Sequence, residues 1–99
     1  YTYVDDIVNG ILSAIKINYS FEIINLGNNQ CENILQLVNH IEDLVGKKAN
    51  IKFEPMQLGD VKKTYADISK AKDLLSYYPK IKLKEGLSKF HEWYLKYYR

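Results

Sequence analysis

The chain has 99 residues, 46% hydrophobic and 26% charged, which excludes a disordered polyelectrolyte. Its 14 basic residues are nearly matched by 12 acidic ones, so the net charge of +2 argues against nucleic acid or an anionic membrane as a partner. No apolar run approaches the roughly 18 residues of a membrane span, and the N-terminus lacks the layout of a signal peptide. The lone Cys31 allows no intrachain disulfide, so a reducing cytoplasm is expected.

Thr2-Tyr3-Val4 is a short β-prone run, and a start inside a strand suggests a piece of a longer protein. Asp5 and Asp6 open a helix as caps, with Ile7, Val8, Ile11, Leu12 and Ile15 on one face. After the polar break Asn18–Ser20, the nearly continuous apolar run Phe21–Leu26 predicts a strand buried on both faces of a parallel sheet. Gly27-Asn28-Asn29 turns the chain. A single Gly27 without G-x-G-x-x-G is weak as a phosphate loop. Asn33 and Gln36 have capping-box spacing. The stripe Ile34, Leu37, Val38, Ile41, Leu44 and Val45 follows, and Gly46 stops it. His40 falls off the stripe and reads as a surface residue.

Lys47-Lys48 reads as a solvated turn before the alternating strand Asn50–Phe53. In the run Phe53–Asp67, Pro55 and Gly59 bracket a loop. Asp60 projects beside that glycine, where backbone can approach a ligand. On these residues alone, a plain turn and a loop offering one carboxylate to a ribose or base both stand. Thr64–Ala66 is extended, and Asp67 caps a helix carrying Ile68, Ala71, Leu74 and Leu75, ended by Tyr78-Pro79. The last helix is predicted from about Leu83 to Tyr98, with Leu87, Phe90, Trp93, Tyr94 and Tyr97 as its stripe and Lys82 in the capping place.

Two isolated histidines, His40 and His91, and one cysteine do not make a metal site. Tyr78 and Lys82 match Tyr-x-x-x-Lys in letters, but Pro79 and the alternating Lys80–Leu83 deny the pair a shared helical face. The aromatic, lysine-rich tail from Lys89 to Arg99 has helical spacing, which favours packing or a domain interface over stacking on nucleic acid.

Four segments in order, Tyr3-Val4-Asp5-Asp6, Asn25-Leu26-Gly27-Asn28, Gly59-Asp60…Ala66-Asp67 and Pro79…Glu85-Gly86-Leu87, carry a resemblance along nearly the whole chain. It resembles the UDP-glucuronate 4-epimerase group, linked to capsular polysaccharide synthesis, of the extended short-chain dehydrogenase/reductase sugar-nucleotide epimerases. The resemblance implies that residues 1–99 are the C-terminal UDP-sugar-binding lobe. That lobe is expected to be α/β, with short strands and about four helices, and to lack the N-terminal NAD-binding Rossmann domain. It implies that the loop lies over the nucleotide, with Asp60 on the ribose or uracil and Gln57 beside it. Leu58 departs from the usual Pro, and Gln57 stands where several relatives carry an Arg that reaches the diphosphate. The full enzyme oxidises the sugar C4 hydroxyl with bound NAD and returns the hydride to the other face.

The glycine loop and helical Tyr-x-x-x-Lys of that reaction are missing here. No catalytic, cofactor-binding or metal-ligating residue is therefore assigned, and the chain alone is expected to be inactive and to bind no NAD. The implied partners are a UDP-sugar and a separate NAD-binding domain, with self-association through the apolar surface that domain would cover. The competing reading is a non-catalytic remnant or interaction module from a split or truncated epimerase gene. The C5 substituent of the sugar is read mainly by residues outside these 99.

Overall fold

Four helices form where an apolar stripe meets residues able to end it: α1 (Val4–Ile15), α2 (Ile34–Val45), α3 (Ser69–Leu75) and α4 (Leu83–Tyr98). This is a computed structural model describing residues 1–60 and 63–98. Val61 and Lys62 of the Phe53–Asp67 loop and Arg99 of the aromatic tail lie outside the described residues. For α2, the Asn33 carboxamide oxygen accepts the Leu35 N–H at 2.7 Å, and Gly46 ends the run at φ +74°. These are the expected bounds. For α3, Asp67 accepts both the N–H and the hydroxyl of Ser69, which holds its carboxyl below the usual carboxylate range.

The α/β expectation is overturned: among the described residues the chain is all-α, without a strand. A strand is one side of a hydrogen-bonded ladder, and apolar patterning cannot supply the other side. Phe21–Leu26, expected to be buried on both faces, instead leaves Phe21 78% and Ile23 72% exposed, and Phe53 is 79% exposed. Among the described residues neither segment pairs with a neighbouring strand. The molecule is a slab of 50 × 37 × 18 Å whose radius of gyration is 16.6 Å, against about 13 Å for a compact chain of this length.

The helices pack in two pairs, α1 on α3 and α2 on α4. The buried core comprises Ile68, Ala71, Leu75 and Tyr77, flanked by Ala14, Ile17, Ile24, Leu26, Ala66 and Leu74. Two features bring Tyr77 there. Ser76 adopts a left-handed conformation, φ 51°, and the N–H groups of Ser76 and Tyr77 close back on the carbonyls of Lys72 and Ala71. These two nested bonds, around a residue in the left-handed region, end α3 before Tyr78-Pro79 rather than at it. Second, Gly10 leaves space on α1: a Cβ there would come within 2.8 Å of the Leu26 methyls and 3.2 Å of the Tyr77 ring.

α1 therefore turns its small side inward. Gly10 is buried and Ala14 half-buried, whereas of the expected face only Ile7 is half-buried and Val8, Ile11, Leu12 and Ile15 are exposed. The expected apolar face exists but faces outward.

Asp6, expected as a cap for its own helix, serves a distant piece of backbone instead. Only 3% exposed, its two carboxylate oxygens accept the N–H groups of Lys80 and Ile81, each at 3.0 Å. The bonds join the first turn of α1 to the segment that starts α4. Replacing Asp6 by Ala leaves two amides without acceptors in a part-buried place, and Asp6→Ala is expected to cost about 3 kcal/mol in urea unfolding. A loss under about 1 kcal/mol would mean that water or another group takes over both amides.

Candidate functional site

The loop bearing Gln57 and Asp60 is a strap tied at both ends. At its start, the Ala49 N–H donates to Glu42 Oε1 at 2.8 Å, and Lys48 Nζ approaches Glu42 Oε2 at 3.4 Å. The Ala49 bond, reinforced by Lys48, holds the Glu42 carboxyl below its ordinary value. At its end, the Ala66 N–H donates to the Asn28 carbonyl at 3.1 Å. Between the ties, residues 50–60 and 63–65 are exposed.

At the tip, the Asp60 N–H donates to the Gln57 carbonyl at 3.2 Å, closing a four-residue turn. Gly59, its third residue, has φ +90°, the requirement at that position of a type II turn. Leu58 occupies the second position, where Pro is common, and is fully exposed. The two residues picked from sequence thus stand at the two ends of one turn, with both side chains in solvent.

Asn28, which makes the far tie, is held through the peptide that precedes it. The Gly27 carbonyl accepts the Tyr77 hydroxyl at 2.9 Å, and the Asn28 N–H of that same peptide donates to Thr2 Oγ1 at 2.8 Å. The Asn28 side chain accepts the Gln30 N–H at 2.9 Å. Gly27 is buried so closely on Ala66 that an added Cβ would lie 2.8 Å from the Ala66 Cβ. Here the glycine is needed for close approach, and the segment is a structural hub rather than a phosphate loop. Thr2, Asn28 and Tyr77 escaped sequence reasoning. The nearest signal was the Leu26-Gly27-Asn28 run, while Tyr77 was hidden beside the more conspicuous Tyr78-Pro79.

Beside the strap's exit, Tyr1, Cys31, Glu32, Asn33, Ile34, Lys63 and Thr64 line an open polar depression of about 470 Å³, a volume within the range of small-molecule sites. It contains one cation, Lys63, one anion, Glu32, and the exposed Cys31 thiol. Tyr78 and Lys82 fall between α3 and α4 outside any helix, so they do not share the helical face that the Tyr-x-x-x-Lys chemistry requires. His91, expected to be packed, is half-buried beside Ile41, Leu44, Val45, Leu87, Phe90 and Tyr94. Among the described residues no cluster of three or more metal-ligating side chains occurs, and no helix is long and apolar enough to cross a membrane.

The glycines present form no dinucleotide loop. A dinucleotide loop needs closely spaced glycines at a strand-to-helix turn. Here Gly10 and Gly86 are inside helices, Gly46 ends one, and Gly27 and Gly59 serve separate turns.

No family model matches the chain. A UDP-glucuronate 4-epimerase of Thermodesulfobacterium geofontis is 43% identical over 94 residues, 94% of this chain and 29% of that protein. A UDP-glucuronic acid decarboxylase 1 of Danio rerio is 39% identical over 89 residues, 90% of this chain and 21% of that protein. Among solved structures, a UDP-glucuronic acid 4-epimerase from Bacillus cereus, in complex with UDP-glucuronic acid and NAD, superposes with a TM-score of 0.85. It is 34% identical and the match covers 98% of this chain and 32% of that one. The chain thus spans about a third or less of the length of these relatives.

Burial pushes the Tyr77 phenol above its ordinary pKa, and the Asp6 carboxylate adds to the shift. A group whose folded pKa is raised stabilises the fold below its unfolded pKa, and that contribution is lost as pH rises through the folded value. Ionisation also removes the proton donated to Gly27. The native chain is therefore expected to loosen in an alkaline step above the ordinary tyrosine range. Tyr77→Phe should abolish that step while costing about 1 kcal/mol at neutral pH. Near-UV circular dichroism against pH checks both.

Proposed function

The homologues of this chain include UDP-glucuronate 4-epimerases and a UDP-glucuronic acid decarboxylase, and on that premise we propose that it supplies part of the UDP-sugar site of such an enzyme. The observation carrying this is the Gln57–Asp60 turn, which offers two polar side chains from the tip of an anchored strap. Asp60 accepts hydrogen bonds from a ribose hydroxyl or the uracil N–H. Gln57 donates to a neighbouring oxygen, without the charge an Arg would bring to the diphosphate. The names of the relatives support this reading. An epimerase and a decarboxylase share the segment, and what their names have in common is UDP-glucuronate.

Residues 1–99 serve as the C-terminal lobe, and hydride chemistry belongs to an NAD-binding domain this segment does not contain. Such a domain would cover the outward face of α1 and the bare side chains of Phe21 and Ile23. Without it these surfaces drive self-association. The exposed free thiol of Cys31 suits a cytoplasmic setting.

Titration with UDP, followed by NMR, is expected to shift the Gln57 side-chain amide and the Asp60 backbone amide at millimolar ligand. Asp60→Ala should weaken the response about tenfold, the loss of a charge-assisted hydrogen bond. An unmoved spectrum at millimolar UDP would sink the proposal. Sedimentation is expected to depend on concentration, and equal coefficients at low and high concentration would count against self-association.

A further inference from the structure

Thr2 contributes nothing to the Gln57–Asp60 turn directly, yet the far tie of the strap depends on it. We propose that Thr2 is a positioning residue for the nucleotide site, holding Asn28, whose carbonyl anchors the strap at Ala66. This rests on the nucleotide-binding reading above.

The geometry forms a short relay. Thr2 Oγ1 accepts the Asn28 N–H, and the next carbonyl, that of Asn28, accepts the Ala66 N–H. Tyr77 holds the other end of the Gly27–Asn28 peptide, so this unit is gripped by side chains from two separate parts of the chain. Thr2 is itself well placed. It comes two residues before α1, whose Asp6 is fixed to the Lys80 and Ile81 amides. Packing removes slack as well: Gly27 is against Ala66 with no room for a methyl group, and Thr2 Oγ1 is 3.6 Å from the position of that missing Cβ. The Asn28 peptide therefore cannot rotate without losing its Thr2 bond or displacing Ala66. The strap between Ala49 and Ala66 has no other backbone tie to the body among the described residues. What Thr2 fixes at Ala66 limits how far the turn at its tip can wander, and preorganisation of this kind lowers the entropic cost of binding.

Thr2→Val keeps the shape of the side chain and removes the acceptor. Amide hydrogen exchange should then quicken about fivefold at Asn28 and Ala66 and stay unchanged at Lys80 and Ile81, where Asp6 is the acceptor. UDP affinity should fall about fivefold, while Thr2→Ser, which restores the hydroxyl, should return both readings to native values. A uniform rise in exchange, Lys80 and Ile81 included, would reduce Thr2 to a general support of the fold and overturn the proposal. So would native exchange at Ala66, or native UDP affinity, in Thr2→Val. If the unmodified chain ignores UDP, the nucleotide reading falls, and the positioning role falls with it. A selective rise at Ala66 would then leave Thr2 as a local anchor alone.

Discussion

A buried carboxyl group needs hydrogen-bond donors in place of the water it has lost, and Asp6 is placed accordingly. The Lys80 and Ile81 amides meet its two oxygens, and in doing so they set where α4 begins relative to α1. The remaining order follows from that junction. Tyr3, one turn before Asp6, lies against Gly86, where an added Cβ would sit 3.3 Å from its ring, bringing the start of the chain against α4. Thr2 is then held in reach of Asn28, Asn28 in reach of Ala66, and Ala66 marks the end of the strap. Among the described residues the buried apolar core comprises four, too little burial to fix such geometry unaided. Directional bonds do it instead.

Helix positions were legible in the sequence because their signals are local. Asn33 and Gly46 bound α2 through their own chemistry, and Leu83 to Tyr98 became α4 as the aromatic spacing predicted. Strands were not legible, for a reason of kind rather than degree. Phe21–Leu26 has the composition of a buried strand, but composition states only what a segment would bury, not whether a partner is present. Orientation failed similarly for α1. Its stripe of Ile7, Val8, Ile11, Leu12 and Ile15 suggested the inner face, yet the buried positions of the helix are Asp6 and Gly10, with Ala14 half-buried against the core. Small residues that permit close approach can take the packed side of a helix and leave the large ones facing outward.

The turn at Gln57–Asp60 could be read from Pro55 and Gly59 because a positive φ selects for glycine. The ties that hold it could not. Thr2 and Asn28 are 26 positions apart, and Gly27 and Tyr77 are 50 apart. Nothing in the pattern around Thr2 or Tyr77 marks either as a hydrogen-bonding partner of a loop. Glu42 is a similar case, a residue on a helix whose acceptor capacity goes to the entrance of the strap rather than to a neighbour one turn away.

This division has a consequence for the proposed role. Contacts made to parts of a substrate remote from the reacting atoms can be spent on orientation at the reacting centre, whatever the reaction there is. The nucleotide of a UDP-sugar is such a remote part. A segment that contributes only nucleotide contacts can therefore be shared between enzymes whose chemistry differs, provided it holds its ligand at a fixed distance from the cofactor. Rigidity at the root of the strap then matters as much as the identity of the groups at its tip. An Asp60 carboxylate on a wandering loop would bind weakly and orient nothing. In the proposed role, the anchorage of the strap at Ala66 through Asn28 and Thr2 would limit that wandering and let the group help to aim the sugar.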